Sequence, residues 1–234
     1  MTQEYLGAII IPALNEENHI EASLLCLQPL RSHWLLILVD GGSKDTTTTI
    51  AKHYVDELLV TVAGRAEQQN EGALIARQRL GVKGILVFLH ADTRLPDTFS
   101  EVMTAFQRVG RDWGRFDVRL SGTDNRLRLV EFLINFRSRH TSIATGDQVL
   151  FFRARMFWQL GGFPMLALME DIEISKLAKR LSPPFCPRDR VVTSSRKWER
   201  QGVWKTILLM WVCRAAYFFG VQASTIHRWY YGTR

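Results

Sequence analysis

Residues 6–17, LGAIIIPALNEE, hold the pattern that decides the fold: an apolar run stops at Pro12 and gives way to a polar turn. Three further runs have the same form, LLILVD at 35–40, LLVTV at 58–62 and ILVFLH at 85–90. Runs so short and so continuously apolar read as strands buried on both faces, the habit of parallel sheets. Between them lie stretches of helical length at 17–30, 45–54 and 68–80, each entered near an Asn, Ser or Asp cap. The alternation predicts an α/β fold built on a doubly wound, mostly parallel sheet flanked by helices. Ligands in such sheets bind beyond the carboxyl ends of the strands. The first candidates for chemistry are therefore Asn15, Glu16, Asp40, Arg65, His90 and Asp92.

Past Pro96 the rhythm changes to a helix at 97–109, a strand at 113–120, a helix at 124–139 and a strand at 148–153. Gly161-Gly162-Phe163-Pro164 then breaks the chain before a helix at 170–181, which Pro183 and Pro184 end. No linker divides 1–202, so it reads as one domain with lobes at 1–95 and 96–202, followed by an amphipathic helical tail at 203–234. Within 234 residues, 47% hydrophobic against 23% charged content supports a packed core and excludes disorder as the main state. The three cysteines lie far apart with no CxxC, which argues against a disulfide framework or zinc site and for a reducing compartment. The first residues lack a basic leader, so a cytoplasmic protein is expected.

The net charge of +7 is unevenly placed: residues 176–234 hold 12 Lys/Arg and 2 Asp/Glu, and the rest hold 18 and 21. The C-terminal quarter thus carries +10 against −3 elsewhere. Its charges are separated by apolar residues and no reader motif is present, which excludes nucleic acid and favours phosphate or anionic lipid. Arg214 sits in the middle of the apolar stretch 203–226 and would cost roughly 2.5–3.5 kcal/mol in a membrane span. Trp204, Trp211, Tyr217, Phe218, Trp229 and Tyr230 instead suit a helix lying in a membrane interface. A helix packed on the domain is the alternative.

Several residues read two ways. Asp40, ending the second run before Gly41-Gly42-Ser43, is placed to bond a ribose or base, or simply to cap its own turn. Neither GxGxxG nor a P-loop is present, so a nucleotide would be held by other means. His90 and Asp92 could share a divalent ion that grips a diphosphate, or form a solvated turn. Glu170-Asp171 offers a general base, or first-turn acids favoured by the helix dipole. Asp147 is a sugar contact or part of a strand-entry turn. Trp113 and Phe116 stack on a ligand or fill the core.

Between residues 10 and 202 the chain carries, in order, IPALNEE, VDGGSKDTT, GRAEQQNEGA, FLHADT, TGDQVLFFR, GGFP, LMEDIE and SSRKWERQG. With these segments it resembles glycosyltransferase family 2 and its GT-A fold; VDGGS, HAD, GDQ and MED resemble a small bacterial subgroup whose acceptors are unassigned. The resemblance implies an inverting transferase that moves a sugar from a nucleotide-diphosphate donor to an acceptor hydroxyl with Mn²⁺ or Mg²⁺. UDP-linked donors come first and GDP-linked donors second. It makes 1–95 the nucleotide-binding lobe and 96–202 the acceptor lobe. It implies that Pro12, Leu14 and Glu16 line the base pocket, that Asp40 accepts from uracil or ribose, and that Arg65 and Asn70 hold the donor. Asp92, with His90, would be the metal position. Asp171 would be the base, with Glu170 as runner-up. Asp147 and Gln148 would contact sugar or acceptor, and Arg196 and Trp198 would lie near the diphosphate. Two positions depart from the family pattern: His90 replaces the first aspartate of its DxD motif, and Gly41 replaces a second aspartate after the second strand. The acceptor is expected to be lipid-linked or otherwise membrane-borne, met by an enzyme peripheral to the inner face of the cell membrane. The competing readings are a non-catalytic binding protein on the same scaffold, and a sugar nucleotidylyltransferase, whose glycine-rich basic loop residues 12–17 lack.

Overall fold

In the computed structural model, which describes residues 5–232, strand β1 (Gly7–Ala13) pairs in parallel with β2 (Trp34–Asp40) on one side and β4 (Ile85–Phe88) on the other. Strand β3 (Glu57–Val60) extends the β2 side in parallel. On the far side β8 (Leu150–Arg153) lies antiparallel to β4, and β6 (Trp113–Arg115) antiparallel to β8, giving the order β3-β2-β1-β4-β8-β6. Every residue of β1 and β2 is buried, the reason both appear in the sequence as unbroken apolar runs. Strand order reverses at β1, which opens a crevice at the carboxyl ends of β1, β2 and β4.

Helices α1 (Ile20–Leu25), α2 (Thr47–Ala51) and α3 (Arg65–Leu80) make the crossovers. Helix α1 is shorter than the expected 17–30 because the chain tightens into a 3₁₀ turn at Gln28–Leu30, where Pro29 cannot donate. Helix α3 lies close on β1: a Cβ at Gly72 would fall 2.4 Å from Ile10 Cγ2, so only glycine permits the approach.

The expected strand 113–120 is two strands. The β6–β8 ladder ends at Arg115 opposite Leu150, because the chain before Leu150 turns away through Gly146–Gln148. The next segment, β7 (Asp117–Leu120), pairs with β9 (Arg190–Thr193), which also pairs with β5 (Thr93–Arg94) in a small second sheet. Buried Arg115 is ion-paired with Asp117 at this joint. Trp113 and Phe116 are both wholly buried, so each belongs to the core and neither faces a ligand.

Helices α4 (Phe99–Arg108), α5 (Asn125–Thr141), α6 (Ala154–Gln159), α7 (Glu170–Leu181) and α8 (Arg196–Gln201) complete the domain. The tail is not a single amphipathic helix: α9 (Val203–Phe218) and α10 (Ala223–Tyr231) are separated at Gly220, whose φ of 88° stops the first. Both pack on the domain, Cys213 and Ile226 being buried with Met169 and Ile172. No helix among the described residues is long and apolar enough to cross a membrane. Thr233 and Arg234, the end of the expected tail, lie outside the described residues.

Candidate active site

Two loops at the crevice are tied to each other by their own polar groups. Asn15, at φ 52°, receives the Lys44 N–H on its Oδ1 at 2.9 Å and donates its own N–H to Ser43 Oγ at 2.8 Å. Glu16 donates its N–H to Thr47 Oγ1, Glu17 donates its N–H to Asp45 Oδ2, and Glu17 Oε2 accepts from the Thr46 N–H across the same gap. Asp40 is wholly buried and caps its own turn, accepting from the N–H groups of Gly42 (2.9 Å) and Ser43 (2.7 Å) and from the Ser43 hydroxyl. Pro12 is buried at the end of β1, while Leu14, just past it, is 41% exposed.

At the end of β4, Asp92 does not stand alone. Arg196 Nη2 lies 3.3 Å from Asp92 Oδ2 and 3.2 Å from Glu16 Oε2, so one guanidinium joins the β1 loop to the β4 loop. His90 is nearly buried. Its Nδ1 is 3.4 Å from Asp147 Oδ1, and its other ring edge rests on Gly146, where a Cβ would lie 2.4 Å from Nε2. That contact explains the glycine before Asp147. Burial opposes the charge on Asp147, but the His90 hydrogen bond, followed by the charges of His90, Arg65 and Lys197, holds its carboxyl below the ordinary range.

Asp171 lies across the Gly146 turn from His90. Its Oδ2 accepts from the Gly146 N–H at 2.9 Å and its Oδ1 from the Ile172 N–H at 2.7 Å, which fixes the carboxylate at the start of α7. The residue before the helix, Met169, has φ 73°, and Val149, closing the Gly146 turn, has φ 50°. Side chains of these types rarely adopt that conformation, and strain of this kind gathers where a site is being shaped. Glu170 is 4% exposed, and burial, then the charge of Asp171, pushes its carboxyl up to about 7.

Asp92, Asp147, Glu170, Asp171, Arg65 and His90 share one cavity of about 240 Å³, with Leu120, Trp198, Met210 and Cys213 on its walls. Asp147 thus reaches solvent through the cavity although protein surrounds it. Lys197, Arg214, Tyr230 and Tyr231 also line the space, and sequence reasoning assigned none of them to it. Lys197 nonetheless falls inside the SSRKWERQG segment, and Arg214 and Tyr230 read in sequence only as features of a membrane-facing tail. Burial, then Arg65, lowers Lys197 to about 8, and its ammonium sits on the Tyr230 ring at 2.9 Å from the centroid.

Two expected ligand contacts are turned to other work. Gln148 is wholly buried and props its loop from within, donating to Ser138 Oγ at 2.9 Å. Asn70 donates to Phe163 O and accepts from Phe163 N–H, both at 2.8 Å, pinning α3 to the GGFP turn. Trp198 packs against Leu120, Leu127 and Val130 and closes the apolar end of the cavity.

A divalent ion has few protein donors here. Among the described residues no three His, Cys, Asp or Glu side chains converge on one point. Asp92, ion-paired with Arg196, is the carboxylate at the β4 end, and His90 turns Nδ1 to Asp147 and packs its Nε2 edge on Gly146. The residues therefore fit a cation only with Asp92 as its protein ligand, the other donors having to come from a bound ligand and water.

The model of glycosyl transferase family 2 matches residues 8–160, and the chain belongs to that family. Among solved structures it is similar to the mannosyltransferase PcManGT from Pyrobaculum calidifontis in complex with GDP-Man and Mn²⁺, at 22% identity and a TM-score of 0.61, over 82% of this chain and 57% of that one. It is similar to S. aureus TarS 1-349, at 16% identity and a TM-score of 0.60, over 80% of this chain and 60% of that one. A third likeness, at 18% identity and a TM-score of 0.54, is to glucosyl-3-phosphoglycerate synthase from Mycobacterium tuberculosis with Mn²⁺, UDP and glucosyl-3-phosphoglycerate, over 82% of this chain and 71% of that one. At these identities the likeness establishes the fold, and the chain spans about three-fifths of the length of the first two. No curated protein matches it.

Proposed function

We propose that the chain is an inverting glycosyltransferase that takes a sugar from a nucleotide-diphosphate donor and joins it to an acceptor hydroxyl. The observation that carries this reading is the sharing of one cavity, at the carboxyl ends of the strands, by Asp92, Arg65 and the Glu170-Asp171 pair. The nucleotide lies in the crevice between the β1 and β2 loops, against Pro12, Leu14, Glu16 and the Asp40 turn. Its diphosphate reaches Asp92, where Mn²⁺ or Mg²⁺, when bound, neutralises charge that develops on the leaving group. Arg196 releases Asp92 and Glu16 to the ligand and, with Arg65, faces the same developing charge. Asp147 contacts the sugar.

Asp171 takes the proton of the acceptor hydroxyl as its oxygen attacks the anomeric carbon from the face opposite the diphosphate. Two backbone N–H groups hold this carboxylate in place, as a positioned base requires. Glu170, pushed up to about 7, is only partly ionised at neutral pH and is buried, so the role is given to Asp171.

The acceptor is met at a membrane surface. Trp204, Leu208, Trp211, Val212 and Phe218 of α9 are exposed, and so are Leu129, Phe132, Leu133 and Phe136 of α5, a stripe at helical spacing that sequence reading had not included. This surface belongs with the basic C-terminal quarter, which suits anionic lipid.

The test is a panel of UDP- and GDP-linked sugars with Mn²⁺ or Mg²⁺, scored by nucleotide release and by thermal shift. Release and stabilisation by one donor class is expected. A panel in which no nucleotide sugar stabilises the protein would leave the non-catalytic binding scaffold as the better reading.

A further inference from the structure

Helix α5 packs on α9 through Leu127, Val130 and Ile134 against Val203, Ile207 and Met210. Farther along the same two helices stand Arg137 and Arg214, and they are unusual among the arginines of this chain. Arg137 Nη2 is buried with no hydrogen-bond partner. Arg214 lines the cavity, and among the described residues neither arginine makes an ion pair. Each follows by one helical turn a residue through which the two helices meet, Arg137 after Ile134 and Arg214 after Met210, and both feel the charge of Asp171. Burial, then Arg214, lowers Arg137 to about 9, and burial lowers Arg214 as well, so both cations stand in an unfavourable setting.

Unpaired cations withdrawn from water are costly unless something completes them. The cavity does not do so from within. Asp92 is taken by Arg196, and Asp147, Glu170 and Asp171 already face Arg65, Lys197 and Arg214. Arg137 adds a further positive charge that Asp171 feels, which leaves positive charge in excess there. The outer faces of these same helices carry the exposed apolar residues Phe132, Phe136, Trp211 and Phe218. A ligand that satisfies both features has an anionic head and an apolar body.

We propose that Arg137 and Arg214 form an acceptor subsite for a phosphate monoester, which holds the acceptor while a separate hydroxyl of the same molecule meets Asp171. Two guanidiniums present forked donors that match phosphate oxygens, which a lysine pair would not. The phosphate is a handle and takes no part in the bond changes. The proposal rests on the transferase reading, because it names that site's acceptor class.

The probes are oleoyl lysophosphatidic acid, which has a phosphate, a free hydroxyl and one chain, its neutral counterpart mono-oleoylglycerol, and glycerol phosphate. Binding is measured to the full chain in neutral detergent, beside calorimetry with UDP and GDP on the same preparations. Lysophosphatidic acid is expected to bind about tenfold or more tighter than mono-oleoylglycerol, the scale of charge-assisted hydrogen bonds. Arg214→Gln and Arg137→Gln should each remove most of that preference, Arg214→Lys should keep part of it, and nucleotide affinity should not change. Glycerol phosphate that competes as strongly as the lipid would keep the subsite and assign it a soluble acceptor; weak competition assigns a membrane-borne one. Equal affinity of the wild-type protein for the two lipids overturns the proposal, whether or not the variants fold. Failure of UDP and GDP to bind would overturn the donor reading separately.

Discussion

The crevice loops and the α5–α9 seam treat their polar groups in opposite ways. At the crevice Asp40 caps its own turn, Asn15, Glu17 and Asp45 tie the two loops together, and Glu16 and Asp92 share Arg196. At the seam a buried guanidinium nitrogen has no partner and large apolar side chains face outward. The first region is preorganised, so a ligand there exchanges a few ion pairs without building the site. The second is left incomplete by the protein, which is how a surface looks when its partner is part of its structure.

This contrast assigns transfer and binding to different residues, and the largest expected effect separates them. Asp171→Asn should lower the rate of sugar transfer by about 10²–10⁴, the contribution of a positioned base, with donor affinity retained. Turnover measured within about tenfold of wild type would move the role to Glu170.

Glu170 supplies the next test. A carboxyl raised in the folded state from the ordinary 4.5 to about 7 binds its proton more tightly there than in the unfolded chain. Stability should therefore fall as pH rises from about 4.5 to 7 and level off above, by about 3 kcal/mol in all. Denaturant titrations across this range should show the slope in wild type and its loss in Glu170→Gln. A Glu170→Gln variant with the wild-type slope would place the burden on another group.

The smallest effect is on stability at the outer face. Phe132 and Phe136 are 61% and 52% exposed and stack on each other. Replacing both with Ser should change unfolding free energy by less than about 1 kcal/mol. Sedimentation with anionic vesicles should nevertheless fall by about tenfold. Unchanged sedimentation would confine membrane contact to α9 or remove it.

The legibility of the sequence follows the same division. Strands β1, β2 and β4 were readable because burial on both faces leaves unbroken apolar runs, and the loops after them were readable because turn chemistry is local. The cut between β6 and β7 was not, since it depends on where β8 begins, at Leu150, 35 residues beyond its partner Arg115, with no mark at Phe116. The structural bonds of Gln148 and Asn70 were not legible, because an amide that props a loop looks, in sequence, like one awaiting a sugar. The tail was misjudged as one helix because its apolar run continues through the break, and Gly220 alone marks the stop. Arg214 shows the deeper difficulty: its charge disfavours a span whatever it touches, yet its place on the cavity wall follows only from how α9 packs on α7.

The most direct test of the account is calorimetric titration of UDP and GDP with Mn²⁺ into the wild-type protein, Asp92→Ala and Asp171→Asn. The account predicts one-to-one binding of one of the two nucleotides to wild type, a Mn²⁺-dependent part of that affinity lost in Asp92→Ala, and wild-type affinity in Asp171→Asn. Binding of neither nucleotide, or equal loss in both variants, would contradict it.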